Sequence, residues 1–299
     1  MDISSQIGEF AALLVAIFWT ITALSFESAS KIVGSLSVNM IRLFFAFIIL
    51  AIFSYFYRGM ILPLDADLHA WIWLSLSGLI GFVFGDYFLF SSFAIIGSRI
   101  SMLIMTLVPP ITALIGWLLL GETMSSKHIF GMTLTVSGIA IAILNRPSLN
   151  NKMKFNYSVK GVVFAFLGAV GQAVGLVLSK YGMKSYDPFA ATHIRIIVGM
   201  VGFAIIVVLL RKTSLIRSAL KSRKGMTGIS IGSVFGPFLG VSLSLYAIQH
   251  TGTGIASTIM AIVPILIIPP AIMLFKQKVS MKEVVGAVIS VIGVALFFV

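Results

Sequence analysis

Residues 78–97 read GLIGFVFGDYFLFSSFAIIG, and residues 233–252 read SVFGPFLGVSLSLYAIQHTG. A shift of 155 lays Gly236 on Gly81, Gly240 on Gly85 and Gly252 on Gly97. The same register then places Pro264 on Pro109, Gly286 on Gly131 and Gly293 on Gly138. With 27 glycines in 299 residues, chance would align about 0.5 glycine pairs over this window against the five seen, so the chain is an internal duplication. Earlier in each half a shift of 153 superposes Gly8 on Gly161, Ala12 on Ala165, Lys31 on Lys184 and Arg42 on Arg195. The two-residue difference falls in the loop between the second and third apolar stretches of each copy.

Each copy is a train of apolar stretches. They run near Gly8 to Phe26, Ser37 to Tyr57, Trp71 to Ile95, Ile100 to Leu120 and Lys127 to Leu144, and again near Gly161 to Tyr181, Ala190 to Leu210, Gly225 to Ile248, Ile255 to Phe275 and Met281 to Val299. Crossing a bilayer takes roughly 20 predominantly apolar residues. The composition, 59% hydrophobic and 10% charged, lacks the polar residues to cover a water-soluble surface. The expected fold is an all-α membrane protein of ten transmembrane helices arranged as two five-helix inverted repeats, because an odd number of helices per copy turns the second copy over in the membrane. The halves are expected at 1–145 and 161–299, joined by a linker at 146–160 whose Asn-Arg-Pro-Ser-Leu-Asn-Asn-Lys run, residues 145–152, is rich in turn residues. No basic n-region precedes the first stretch, so it reads as a retained helix and not a cleaved signal.

The net charge of +12 looks at first like a nucleic-acid signature, but the basic residues lie between apolar stretches, where they orient the chain against anionic lipid. No nucleic-acid partner is expected. Loops after the odd-numbered stretches hold fifteen Lys and Arg, from Lys31 and Arg99 through the run Arg211 to Lys224 to Lys282, against Arg58, Lys127, Lys180 and Lys184 on the other side. The positive-inside rule puts the first group in the cytoplasm and both termini outside. The expected location is a prokaryotic cytoplasmic membrane, the partners a small-molecule solute and the lipid bilayer; no copy number is implied.

Absence of cysteine removes thiolate chemistry and disulfides. No HExxH occurs, the four histidines are scattered, and most acids lie in loops or at helix ends, so no enzyme, cofactor or metal site is expected. No GxxxxGK[ST] loop is present to drive transport with nucleotide.

A family resemblance rests on Pro109, Leu120-Gly121-Glu122-Thr123, Gly131 and Gly138, with Pro264, Gly286 and Gly293 in the second copy and Lys276-Gln277-Lys278 where Gly-Glu-Thr would recur. This pattern resembles the EamA-type transporters of the drug/metabolite transporter superfamily. The resemblance covers nearly the whole chain and implies solute binding between the two halves, with the first, third, fourth, sixth, eighth and ninth helices around a cavity. It implies a secondary transporter working by alternating access, proton-coupled or exchanging; a channel or a non-transporting membrane subunit is the alternative.

Asp86 is the acid placed well inside a membrane stretch, among Phe82, Phe84 and Phe88. A carboxylate there needs a cation, water or a proton. Two readings compete: a pair with Arg42, and a proton carrier or solute ligand in the cavity, the latter being the working hypothesis. Trp19, its repeat equivalent Gln172, Tyr87, Ser242, Ser244 and Tyr246 are the other candidate substrate-binding residues, giving a mixed apolar and hydrogen-bonding lining. Arg42 and Arg195, near helix starts, read as snorkelling cations. His193 and His250 read as interfacial, and Glu27 and Glu122 as loop-edge carboxylates. Prolines 109–110, 264 and 269–270 predict kinks in the fourth and ninth helices, and the glycines at 78, 81, 85, 232, 236 and 240 predict close helix packing.

Overall fold

The structure, a computed structural model, describes residues 7–120, 125–145, 154–155, 157–250, 256, 259–276 and 278–296. The helices in chain order are α1 (Ile7–Val33), α2 (Ser35–Arg58), α3 (Leu68–Ile96), α4 (98–120), α5 (Ser126–Ile143), α6 (Val159–Met183), α7 (Pro188–Leu209), α8 (Thr213–Lys221), α9 (Arg223–His250), α10 (Val263–Phe275) and α11 (Met281–Leu296). Among the described residues, seven of these, α1, α2, α3, the 98–115 part of α4, α6, α7 and α9, are long and apolar enough to cross a membrane, and α10 and the Ile129–Ile143 part of α5 are shorter apolar helices. The outer faces carry Phe10, Phe44, Phe56, Phe166, Val208 and Met273 exposed, a surface that suits lipid and not water. The chain is a multi-pass integral membrane protein.

Starts and stops follow local chemistry. Gly34 between α1 and α2 and Gly97 between α3 and α4 take φ of 81° and 82°, a region open to glycine because it lacks Cβ, so each helix pair turns on a single residue. The Asp67 and Asp187 side chains accept from the backbone N–H groups of Ala70 and Ala190 and cap α3 and α7. Glu27, expected at a loop edge, is instead fully buried. It lies inside α1, which runs on to Val33. Its carboxylate accepts from Ser98 N at 2.7 Å and Ser98 Oγ at 2.5 Å at the start of α4 and pairs with Lys31 at 2.5 Å, which is how the helix absorbs an acid that a one-dimensional reading sends to solvent. Glu122 lies outside the described residues.

The basic segment after α7, expected as loop, contains the surface helix α8. Its apolar Ile216 and Ala219 face the body of the protein while Arg217 and Lys221 stay outside, so amphipathicity organises what charge alone suggests is unstructured. Around the linker, Leu144–Asn145 pairs antiparallel with Lys154–Phe155, a two-residue ladder added to the expected all-helical plan.

Four backbone irregularities sit at matching places in the two halves. In α3 residues Gly78–Asp86 form a π-helical segment, and in α9 so do Val234–Gly240. α4 tightens to a 3₁₀ turn at Met105–Leu107, just before Pro109, and the chain turns at 261–262, just before Pro264. The prolines account for the second pair as expected. The π-helical segments were not expected; Pro237, which sits inside one of them, was their sequence signal.

Packing follows the small residues, since in lipid close van der Waals approach, and not water exclusion, holds helices together. α3 lies on α6 and α9 on α1. A Cβ built on Gly175 would lie 2.9 Å from Gly81 Cα, and one on Gly236 would lie 2.8 Å from Thr22 Cγ2. One built on Gly85 meets Gln172 N at 3.3 Å, and one on Gly240 meets Trp19 Nε1 at 2.8 Å. Under the two sequence shifts these contacts are equivalents of one another: Gly81 with Gly236, Gly85 with Gly240, Thr22 with Gly175, Trp19 with Gln172. α5 and α11 form a separate glycine-lined pair.

Candidate functional site

Where α1, α3, α4, α6, α9 and α10 converge they leave a cavity of about 180 Å³, smaller than the roughly 300–1,000 Å³ of drug-sized sites. All four irregular turns reach it: Phe82 and Asp86 from the π-helical segment of α3, Pro237 from that of α9, Thr106 beside Pro109 and Ala261 beside Pro264. Non-helical backbone inside a membrane protein is tolerated where it lines such a space, and π-helical segments concentrate at functional sites. The remaining wall is mostly apolar, including Phe26, Leu89, Phe90, Phe93, Met102 and Met105.

Two further helices contribute one residue each: α2 gives Arg42 and α7 gives Arg195. Both lie seven residues past the helix start, about 10 Å along the axis at 1.5 Å per residue. Their expected snorkelling does not occur: Arg42 is 2% and Arg195 4% exposed. Each turns inward to the cavity because aromatic faces receive it. The Arg42 guanidinium carbon stands 4.7 Å from the Phe90 ring centre and 5.5 Å from that of Phe82, and the Arg195 carbon stands 4.7 Å from Phe82. Phe82 therefore serves both cations.

Asp86 is buried and receives a hydrogen-bonded ion pair from Arg42 and a 2.5 Å hydrogen bond from Gln172 Nε2. Gln172 also donates to the Gly81 carbonyl at 3.2 Å, a bond to the π-helical segment. Asn39 accepts from Arg42 Nε at 3.1 Å and donates to the Asp86 carbonyl at 3.3 Å, tying α2 to α3. Both expected surroundings of Asp86 thus coincide: it pairs with Arg42 and it lines the cavity. Arg195 differs. Among the described residues no carboxylate lies within ion-pair reach of it, and its Nε makes no hydrogen bond.

Of the other expected site residues, Trp19, Gln172 and Ser244 line the cavity, the Ser244 hydroxyl donating to Val241 O at 2.7 Å. Tyr87, Ser242 and Tyr246 are not among its lining residues. Tyr87 packs against the apolar cluster that α2 and α7 form with Phe82, Ser242 is buried with its hydroxyl unpartnered, and Tyr246 stacks on His250 with ring centres 4.0 Å apart. His193, expected at the interface, is fully buried 5.2 Å from the Phe47 ring. The lining residues that sequence did not single out, Phe26, Phe90, Met102 and Met105, are apolar residues on apolar helices and carry no distinguishing signal.

At the helix ends two small networks tie neighbouring segments together. Arg58 reaches Asp65 at 2.5 Å, and Tyr186 donates to Asp65 at 2.9 Å. Burial and then the hydrogen bond to Asp65 push the Tyr186 phenol up to about 12. On α11, Glu283 pairs with Arg99 at 2.9 Å and accepts from Tyr157 at 3.0 Å.

Against known proteins, residues 6–144 and again 159–299 match the EamA-like transporter family. A WAT1-related chloroplast protein of Arabidopsis thaliana is 22% identical over 283 residues, which is 93% of this chain; the chain spans 66% of that relative's length. A protein of known crystal structure, 17% identical, superposes with a TM-score of 0.61 over 98% of this chain and 95% of that one, a likeness of fold.

Proposed function

The chain belongs to the EamA-like transporter family, and from that premise we propose that it is a secondary carrier that moves a small organic solute by alternating access of the 180 Å³ cavity to the two sides of the membrane. The observation that carries this is the ring of four broken or widened turns around one cavity, matched in pairs by the internal repeat. Discontinuous helices at corresponding positions of two halves are where carriers place their sites, and rocking of the halves about such a site exposes it to each side in turn.

In this proposal the spans number ten, five from 1–145 and five from 161–299, and the halves are inverted in the membrane. The equivalence of the Gly85–Gln172 and Gly240–Trp19 contacts supports it. Trp19, Gln172 and Ser244 contact the solute from three helices. Asp86 carries the coupling proton: it is the carboxylate on the cavity wall, and its partner Arg42 holds it in place while the halves rock. The proposed location is a prokaryotic cytoplasmic membrane; the relative quoted above is a plant protein.

The test is flux in proteoliposomes holding the purified protein. Uptake that saturates with solute and responds to an imposed pH gradient is the expected result. Unitary currents in planar bilayers would instead make it a channel.

A further inference from the structure

The cavity wall carries two arginines and one carboxylate. Arg42 and Arg195 are equivalents under the internal repeat, being 153 residues apart, and both are buried against Phe82. Their acid is not duplicated. Asp86 corresponds to Val241, 155 residues on, and both positions line the cavity. One half of the site therefore has its counter-ion built in, and the other half has a valine where that counter-ion would be. Among the described residues, the carboxylate on the cavity wall near Arg195 is that of Asp86, which is already engaged by Arg42 and Gln172.

A buried cation that lacks its own anion is costly, and ionisable groups inside a membrane protein face the pathway they serve. Arg195 has donors left over, its Nε being unpartnered, and Thr22 on the same wall has a buried hydroxyl without a partner. Guanidinium presents a planar fork of donors that fits carboxylate and phosphate oxygens. A cationic solute would find the wrong field: its natural ligand Asp86 is occupied and Arg195 repels it.

We propose that the solute is a small organic anion, carrying a carboxylate or phosphate group that Arg195 receives in the place Val241 leaves without an acid, with an apolar body lying against Phe26, Phe90 and Met105. The proposal rests on the cavity being the solute site, as in the carrier function above.

The test is equilibrium binding to the purified protein in lipid nanodiscs, read by thermal stabilisation and by titration calorimetry. The probes share one ring and differ in charge: benzoate, phenylphosphate, benzyl alcohol and benzylamine. Benzoate or phenylphosphate should bind at least tenfold more tightly than the alcohol, and benzylamine should bind no better than the alcohol. Arg195→Gln, which removes a buried charge and so should fold, should lose the preference for the anions; Arg195→Lys should keep part of it. Val241→Asp, which supplies the absent carboxylate and leaves Arg195 in place, should also lose it. Anions that bind no better than the alcohol, or a preference that survives Arg195→Gln, overturn the proposal. Anion binding without benzoate or phenylphosphate flux in proteoliposomes upholds the site and removes the carrier function. Saturable benzylamine flux without anion binding does the reverse.

Discussion

Thr135 on α5 and Ser290 on α11 reach each other's backbone carbonyls with their hydroxyls, Ser290 donating at 3.2 Å and Thr135 at 3.4 Å, the long branch of a bond it also makes to Gly131 O at 2.9 Å. They are 155 residues apart, so the contact is between equivalent points of the two copies, and the helix pair is self-complementary as an isologous interface is. Gly138 and Gly286 flank the contact and let the backbones meet: a Cβ at Gly286 would lie 2.5 Å from Gly138 O.

Gly286→Val should therefore force the two helices apart and cost roughly 1–3 kcal/mol, the range for overpacking a filled interface. Thr135→Val, which removes one hydroxyl and keeps the shape, should cost only about 0.6 kcal/mol. Unfolding midpoints in one detergent check both. Equal effects from the two substitutions would mean that the hydroxyl bonds and not the close approach hold the pair.

Breaking one side of the Arg42–Asp86 pair should be worse than removing both. Asp86→Asn leaves a buried guanidinium unmatched and should cost about 3–5 kcal/mol, while Asp86→Asn with Arg42→Gln should recover most of that. The double variant, being folded, then isolates the proton role: its flux should saturate but no longer follow a pH gradient. Flux in the double variant that still follows the gradient removes Asp86 as the proton carrier.

Arg195→Met should raise the thermal midpoint of the empty protein. Replacing a whole buried ion pair by apolar side chains of similar volume gains roughly 1–4 kcal/mol, and here a single buried cation goes with no ion pair lost among the described residues, so the sign should be the same. A lower midpoint would show that Arg195 supports the fold.

Tyr186 predicts an alkaline limit. Its phenol ionises near 10 when unfolded and is held up to about 12 in the fold by burial and by its bond to Asp65. The neutral form is the one the fold favours, so this contribution is complete below pH 10 and is lost as pH rises from 10 to 12. Tyr186→Phe should flatten the stability profile over that window, measured by unfolding midpoints between pH 9 and 12. An unchanged profile would refute the linkage.

Orientation is testable with a fluorescent reporter that matures only in the cytoplasm. Fused at the C-terminus it should stay dark, and inserted in the basic segment Arg211 to Lys224, which runs from the end of α7 into the first turn of α9, it should glow.

The helices were legible in the sequence because lipid demands long apolar runs. Trp19 and Gln172 could be paired in advance because the duplication preserves register. Depth and facing were not legible. Arg42 and Arg195 looked like surface cations because a linear reading gives distance from a helix start and not which neighbour the side chain meets; Phe82 and Phe90 decide that, and they belong to another helix. Glu27 failed for the same reason, its partner Ser98 being 71 positions away. Surface helix α8 was hidden by its own basic residues, whose charge outweighed the apolar Ile216 and Ala219 beneath.

In the proposed carrier Val241, the repeat equivalent of Asp86, sets the electrical character of turnover. There an empty cavity with Asp86 ionised has one positive charge in excess, from Arg42 and Arg195 against Asp86, and a bound monovalent anion cancels it. Each elementary charge moved through 100 mV is worth about 2.3 kcal/mol, so with Asp86 ionised the empty return is the voltage-sensitive leg and the loaded crossing the voltage-silent one, whereas a proton carried on Asp86 with the anion gives both legs the same charge. Turnover with Asp86 ionised should then exchange faster than it fills: labelled solute should leave a vesicle most quickly when unlabelled solute waits on the far side.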